Sequence, residues 1–137
     1  MIVVDASLMV AWLLQEDDIR IAPDIYESLP ELDIIVPPHW PVEVANALLT
    51  SVRRRRLVIE DIETILESLS IFRISFDETL TIDQMSVLTL FAASQNLTVY
   101  DASYVHLALE ENVALATLDT AMRLAAQSLN IPLIPRV

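Results

Sequence analysis

The sequence contains no glycine, no lysine and no cysteine, and each absence bears on a class of protein chemistry. Without glycine there is neither a phosphate-binding P-loop nor the glycine-rich turn of a dinucleotide-binding domain. Without lysine, Schiff-base catalysis is excluded, and receiver domains and aspartate-nucleophile phosphatases, which normally use a lysine, are disfavoured. Without cysteine there is neither a disulfide framework nor a thiolate nucleophile.

Positive charge is also scarce. Arginine supplies all eight basic residues, against 20 acidic ones, so the formal net charge is −12. Because the average field of such a chain repels polyanions, binding to nucleic acid requires local arginines or bound cations. No apolar run approaches the ~20 residues of a membrane span, and the N-terminal segment is too short for a signal peptide and lacks its basic flank. We therefore expect a cytoplasmic protein that does not bind membranes.

Apolar runs alternate with segments of helical periodicity along the chain. Hydrophobic residues make up 54% of the 137 positions, which permits a sizeable core in a single domain spanning residues 1–137. Strands are predicted at residues 2–4, 33–37, 71–75, 98–101, 113–118 and around 132–135. Helices are predicted at residues 6–14, from Asp18 onward, and at 41–56, 59–69, 80–94, 101–111 and 119–129. This alternation predicts an α/β fold with a parallel sheet covered on both faces.

Asparagine takes the place of glycine at the predicted ends of three helices. Left-handed closing positions usually hold glycine, and asparagine is the next most tolerant residue. Asn96, Asn112 and Asn130 stand at the junctions SQNLTV, EENVAL and SLNIPL. Their positions support the predicted boundaries.

Three strand-like segments, MIVVD, LTVYD and VALATLD, each end in an aspartate: Asp5, Asp101 and Asp119. In a parallel sheet these residues share the carboxyl edge, where ligands bind at the point of strand-order reversal. The first strand is a natural candidate for the middle of the sheet. Glu43, in WPVEVANALL, begins the helix after the second strand at the same edge, and Asn46 shares its helical face. The four acids are predicted to converge.

Taken singly, each acid has a structural explanation. Asp5, Asp101 and Asp119 are well placed as helix N-caps, and Glu43 could complement a helix dipole. Taken together, carboxylates within a few Å repel one another and raise each other's pKa unless a cation joins them. Oxygen ligands without cysteine favour Mg²⁺ or Mn²⁺ over Zn²⁺. One or two such ions could activate water for displacement at phosphorus.

The remaining polar residues are interpreted more conservatively. His39, in PPHWP, and His106, about 140° round the helix from Asp101, are expected to be structural or solvent-facing. Ser7 and Thr117 could orient a carboxylate or water, or make local hydrogen bonds. The basic run at residues 53–56 could contact RNA or an acidic partner. We favour a helix C-terminus, because four consecutive side chains point around the whole helix.

The segments VVDASLMVAWLL, PVEVANALL, TVYDASYVHLALE and LATLDTAMRLAA resemble, in order and spacing, the acidic motifs of PIN-domain ribonucleases. The greatest similarity is to the VapC-like toxins of type II toxin–antitoxin systems. The resemblance implies a three-layer α/β/α sandwich with a central, mainly parallel, five-stranded sheet. It also implies Mg²⁺- or Mn²⁺-dependent endoribonuclease activity, a homodimer, and inhibition by a cognate antitoxin whose tail occupies the acidic groove.

Carried over residue by residue, the resemblance makes Asp5, Glu43, Asp101 and Asp119 the catalytic metal ligands. Supporting polar roles fall to Ser7, Asn46 and Thr117. Relatives often have glycine at helix-to-strand junctions and a basic residue after the last acid, where this chain has asparagine and Thr120. Two alternatives remain open: a PIN-like binding module without catalysis, and a metal-dependent nuclease or phosphodiesterase acting on DNA or another phosphoester.

Overall fold

The computed structural model of the chain describes residues 1–16 and 23–136. The strands are β1 (Ile2–Val4), β2 (Asp33–Val36), β3 (Arg73–Phe76), β4 (Ala114–Ala116) and β5 (Leu133–Ile134). The helices are α1 (Ala6–Leu13), α2 (Pro23–Ser28), α3 (Trp40–Arg53), α4 (Ile62–Glu67), α5 (Ile82–Gln95), α6 (Val99–Glu111) and α7 (Thr120–Ser128). Short 3-10 turns occupy Leu29–Glu31, Ile59–Asp61 and Ser68–Ile71. The start of the helix predicted from Asp18 lies outside the described residues.

The strands form one five-stranded parallel sheet in the order β3-β2-β1-β4-β5. The predicted α/β class and the central position of β1 are therefore confirmed. β1 is fully buried, whereas the edge strand β3 is largely exposed. β1 pairs with β4 in the register Ile2↔Ala114, Val3↔Leu115 and Val4↔Ala116. The residues that follow the two strands therefore leave the sheet side by side.

Helices cover both faces of the sheet. α1 packs against α3, and α6 packs against α5, α7, β1 and β4. Because crossovers between parallel strands are right-handed, α1 to α4 and α5 to α7 fall on opposite faces. The buried core joins β1 to both helix layers through side chains such as Leu8, Leu48 and Val105. Over the described ranges, none of these helices has the length and apolar character needed to cross a bilayer.

The three asparagines close their helices as predicted. Asn96 and Asn112 are left-handed C-caps with φ of 55°, and Asn130 has a φ of 58°. Only a residue that tolerates positive φ fits there without cost, and the chain has no glycine to use. The prediction of boundaries from these residues is confirmed.

The prediction of a strand at residues 98–101 is wrong. Thr98 is the N-cap of α6, and its side chain accepts a hydrogen bond from the backbone N–H of Asp101 at 3.1 Å. Val99 and Tyr100 thus belong to the first helical turn, and both are exposed rather than buried in a sheet. Asn96 accordingly joins α5 to α6 and not to a strand. Asp101 sits in the first turn of a helix instead of at its N-cap.

Candidate active site

Asp5 follows β1 and is almost completely buried, with 1% of its surface exposed. It is the N-cap of α1, and its Oδ1 accepts a hydrogen bond from the Leu8 backbone N–H at 2.7 Å. Its Oδ2 accepts one from the Thr117 hydroxyl at 2.5 Å. Burial, followed by smaller effects of the Asp119 and Asp101 charges, raises the pKa of Asp5 to about 6 despite these hydrogen bonds. Asp5 thus caps α1, and its ionised form is disfavoured by burial and by the neighbouring negative charges.

Thr117 and Asp119 follow β4, the strand beside β1. The Thr117 hydroxyl is buried and accepts a hydrogen bond from the Asp119 backbone N–H at 3.0 Å while donating to Asp5. Asp119 is the N-cap of α7, with its Oδ1 accepting from the Met122 backbone N–H at 2.8 Å. Strand order reverses between β1 and β4, so Thr117 ties together the two strand ends at the position where α/β sheets bind ligands.

Asp101 lies in α6, near Asp5 and Asp119. Its side chain is half-buried, and its pKa is raised by burial first and then by the charges of Asp119 and Glu43, with a hydrogen bond involving Thr98 opposing the change. The charge of Asp101 acts in turn on Asp5. Through these effects Asp5, Asp101 and Asp119 form one coupled group, and Asp101 links that group to Glu43.

Glu43 lies in the first turn of α3 and has a different environment from the aspartates. Its Oε1 accepts a hydrogen bond from the Tyr104 hydroxyl at 2.8 Å and lies 3.0 Å from Nε2 of His39. Burial alone would raise the pKa of Glu43, but the contacts with His39 and Tyr104 outweigh it and lower that pKa. Glu43 therefore carries its negative charge at neutral pH.

Of the supporting residues predicted from the sequence, only Thr117 contacts an acid of the site. Ser7 and Asn46 are exposed. Within the described residues, neither of them forms a hydrogen bond with Asp5, Glu43, Asp101 or Asp119. Their proposed role near the acids stays a prediction.

The donor set fits a hard divalent cation, because its candidate ligands are carboxylate oxygens without a thiolate. Over residues 1–16 and 23–136, however, no group of three or more His, Cys, Asp or Glu side chains is arranged so that it could hold a metal ion. The four acids thus influence one another electrostatically without forming a closed cage. Repulsion between ionised carboxylates favours such spacing.

Sequence reasoning missed the residues that surround Glu43. His39, expected to be structural or solvent-facing, contacts Glu43, and its Nε2 also lies 3.1 Å from the Ser103 hydroxyl. The ring of His39 meets those of Tyr100 and Tyr104 edge-on, at centroid distances of 5.7 and 5.8 Å. The spacing of four residues between His39 and Glu43 was a readable signal of the first contact.

The other histidine, His106, lines one cavity together with His39 and Ser103, and the basic run lies at the far end of α3. His106 pairs with Glu110 at 3.6 Å and packs edge-on against Phe91. Arg53 lies in the last turn of α3, Arg54 is its C-cap, and Arg55 and Arg56 follow; all four are exposed. Ten residues of helix separate Glu43 from Arg53, which is about 15 Å along the axis. This position agrees with the helix-terminus interpretation that the sequence favoured.

A second acidic surface adjoins the site. A cavity of about 470 Å³ opens beside His39 and Ser103, between α5, α6 and the loops after β2 and β3. Its lining includes the carboxylates of Asp77, Glu78 and Glu110. Negative charge thus continues from the coupled acids into a groove.

A parallel sheet covered by helices on both faces, with carboxylates grouped at its switch point, defines an α/β domain whose ligand-binding edge is acidic. The PIN domain family matches residues 2–127, and the chain belongs to this family. PIN domains are typically metal-dependent nucleases, so the family places the chain among hydrolases.

A solved structure with the same fold is that of PAE2754 from Pyrobaculum aerophilum. It has a TM-score of 0.70 and 23% sequence identity, over 98% of this chain and 83% of that chain. No curated protein sequence matches the chain.

Proposed function

We propose that this protein is a divalent-cation-dependent endoribonuclease and the toxin of a type II toxin–antitoxin pair. The observation that carries the proposal is the grouping of acids at the carboxyl edge of the sheet: Thr117 joins Asp5 and Asp119 by hydrogen bonds, and Asp101 lies near enough for the charges of Asp119 and Glu43 to help raise its pKa. Stability alone does not account for it, since burial and neighbouring charge hold the pKa of Asp5 and of Asp101 above the usual range.

In this proposal Asp5, Glu43, Asp101 and Asp119 would hold Mg²⁺ or Mn²⁺. When bound, such a cation lowers the pKa of a water molecule and neutralises charge at the phosphate. Thr117 fixes the orientation of Asp5 through its hydroxyl. Arg123, which donates to the carbonyl oxygens of Thr117 at 2.9 Å and Pro135 at 2.7 Å, steadies the loop after β4.

An exposed aromatic ring beside the acids supports a single-stranded RNA substrate. Tyr100 directly precedes Asp101, is 63% exposed and rests edge-on against His39. Aromatic rings of this kind stack on nucleobases without regard to sequence. A base adjacent to the cleaved phosphate could therefore lie on Tyr100.

Tyr100→Ala should raise KM for an unstructured RNA oligonucleotide by roughly 10-fold with little change in kcat, because stacking on one base contributes about 1–3 kcal/mol. Steady-state cleavage kinetics measure both constants. The matched variant Tyr100→Phe keeps the ring and should retain the wild-type KM. An unchanged KM in the alanine variant contradicts a base contact at this position.

Two surfaces support the proposed protein partners. The acidic groove beside His39 suits the basic tail of an antitoxin. On α5, the apolar side chains of Ile82, Met85 and Leu90 are exposed by 85%, 53% and 71%. A second copy of the chain or an antitoxin would cover them on binding. A toxin of this kind would act on RNA in the cytoplasm.

The decisive experiment compares RNA and DNA oligonucleotides of identical sequence, in Mg²⁺ or Mn²⁺, with and without EDTA. We expect cation-dependent cleavage of RNA alone and its complete loss with EDTA. Cleavage of DNA would instead support the DNA nuclease alternative.

The absence of a preformed cation cage among the described residues favours one other candidate, a PIN-like module that binds without catalysis. Isothermal titration calorimetry separates the two. No heat of Mn²⁺ binding at millimolar concentration, together with intact RNA, supports the binding module and overturns the nuclease proposal.

A further inference from the structure

Two hydrogen-bond donors converge on a single oxygen of Glu43. The Tyr104 hydroxyl lies 2.8 Å from Oε1, and Nε2 of His39 lies 3.0 Å from the same atom. Tyr104 lies in α6 and is 1% exposed. His39 is the N-cap residue of α3, the helix that carries Glu43 in its first turn. The carboxylate is thus held between two elements that lie far apart in the sequence.

His39 acts as a hydrogen-bond donor at Nε2, because neither of the groups near this nitrogen has a proton to give it. The Ser103 hydroxyl, 3.1 Å from this nitrogen, donates its one proton to the carbonyl oxygen of Tyr100 at 2.5 Å. Ser103 therefore offers His39 a lone pair, and an ionised Glu43 has no proton to offer. Nε2 of His39 therefore carries a hydrogen, which it shares between the Ser103 hydroxyl oxygen and Oε1 of Glu43.

Tyr104 is likewise confined to the role of donor. A phenol carries one proton at neutral pH, and an ionised carboxylate can only accept it. The Tyr104 hydroxyl, 2.8 Å from Oε1, therefore donates to Glu43. A buried phenol loses little entropy when it fixes a partner, since its ring is already held by packing.

We infer that His39 and Tyr104 are positioning residues that saturate Oε1 of Glu43 and leave Oε2 as the oxygen open to a cation. The inference rests on the proposed function, because it gives Glu43 its role in holding Mg²⁺ or Mn²⁺. Partners of this kind orient a ligating group, and their loss typically weakens metal affinity by about 10- to 100-fold. The orientation of Glu43 is thereby fixed before a cation binds.

The test is titration of the metal-free protein with Mn²⁺, following free Mn²⁺ by electron paramagnetic resonance, a readout independent of RNA cleavage. Tyr104→Phe and His39→Leu should each weaken Mn²⁺ binding by about 10-fold. His39→Gln, whose amide can still donate, should recover most of the wild-type affinity. In a Glu43→Ala background, Tyr104→Phe should cause no further loss, because it acts through Glu43.

The chain supplies matched controls. His106 is the other histidine and also pairs with a glutamate four residues on, and Tyr26 lies away from the site, stacked on Trp12. His106→Leu and Tyr26→Phe should bind Mn²⁺ like the wild type. Melting temperatures verify that each variant is folded, and the half-exposed His39 provides the test if Tyr104→Phe does not fold.

The outcomes separate the two proposals. If the wild type binds Mn²⁺ and both single variants bind it equally well, the positioning role is overturned while the cation site stands. A loss in Tyr104→Phe that persists at full size in the Glu43→Ala background also overturns it. If the wild type binds no Mn²⁺, the proposed function fails and this inference fails with it.

Discussion

Replacing Asp101 with asparagine is expected to lower the rate of RNA cleavage by at least about 100-fold, because charge stabilisation by a bound cation contributes several kcal/mol and each ~1.4 kcal/mol is a factor of ten. Asparagine keeps the size of the side chain and removes its charge. The substitution also removes repulsion from Asp119 and Glu43, so the variant should fold at least as well as the wild type. Single-turnover cleavage in saturating Mn²⁺ measures the effect.

Asp83 provides the matched control for this prediction. It is an exposed acid in the first turn of α5, as Asp101 is an acid in the first turn of α6. Asp83→Asn removes the same favourable interaction with a helix dipole and should cleave RNA like the wild type. Equal activity in Asp101→Asn and the wild type would refute the assignment of Asp101 as a ligand.

The toxin role can be tested with the same pair of variants. Induced expression of the wild type or of Asp83→Asn should arrest bacterial growth, and Asp101→Asn should not. Co-expression of a small reading frame adjoining the gene should relieve the arrest. If cells expressing the wild type keep growing although the purified protein cleaves RNA, the toxin proposal fails and the ribonuclease proposal stands.

Replacing Asp5 with asparagine is expected to stabilise the metal-free protein at pH 7.5 by up to about 3 kcal/mol, which is the free-energy equivalent of the rise in pKa from 3.8 to about 6. Asparagine caps helices as well as aspartate does, so the hydrogen bond from Leu8 can persist. For a chain of this length the melting temperature should rise by roughly 5–10 °C. Calorimetric melting in EDTA measures it.

The pH dependence has a definite sign. Between pH 3.8 and about 6 the folded protein keeps a proton on Asp5 that the unfolded chain has lost, so the free energy of unfolding falls as pH rises through this window. The part of this decline that Asp5 contributes should disappear in Asp5→Asn, while the part due to the raised pKa of Asp101 remains. Mg²⁺ should raise the melting temperature of the wild type and not of the variant, since it stabilises only the state that binds it.

A carboxylate in the opposite situation serves as the control. Asp33 is exposed and bonded to Arg73 at 2.6 Å, which lowers its pKa. Asp33→Asn should not stabilise the protein and should leave the decline between pH 3.8 and about 6 in place. A fall in metal-free stability for Asp5→Asn would show that Asp5 is mainly a structural cap.

The order of the elements could be predicted from the sequence because local signals agreed. Apolar runs marked the strands, and asparagine marked the left-handed helix ends. The failure at residues 98–101 has a physical cause. Two consecutive apolar residues, Val99 and Tyr100, suit a short strand or an exposed first helical turn equally well, and the choice depends on contacts elsewhere in the fold. The Thr98 side chain, which caps α6, was the one local sign of a helix.

The sequence pattern assigns Asp101 to a strand end, whereas it lies in the first turn of α6. The placement of Asp5 and Asp119 could be predicted from residue type and order, because the ends of the neighbouring strands β1 and β4 meet at one edge of a parallel sheet. The support for Glu43 could not. Tyr104 lies 61 residues further along the chain, and only the packing of α6 near α3 brings its hydroxyl to Oε1. Likewise, nothing in the sequence indicates that His39 and Ser103 meet across 64 residues.

The hydrogen bond between Thr117 and Asp5 spans 112 residues, since β1 pairs with β4 only after the chain has passed through β2 and β3. Synthesis must therefore pass Thr117 before the two strand ends can meet. Chains that stop before β4 carry the Asp5 carboxylate, which the complete fold buries, without the hydroxyl that donates to it.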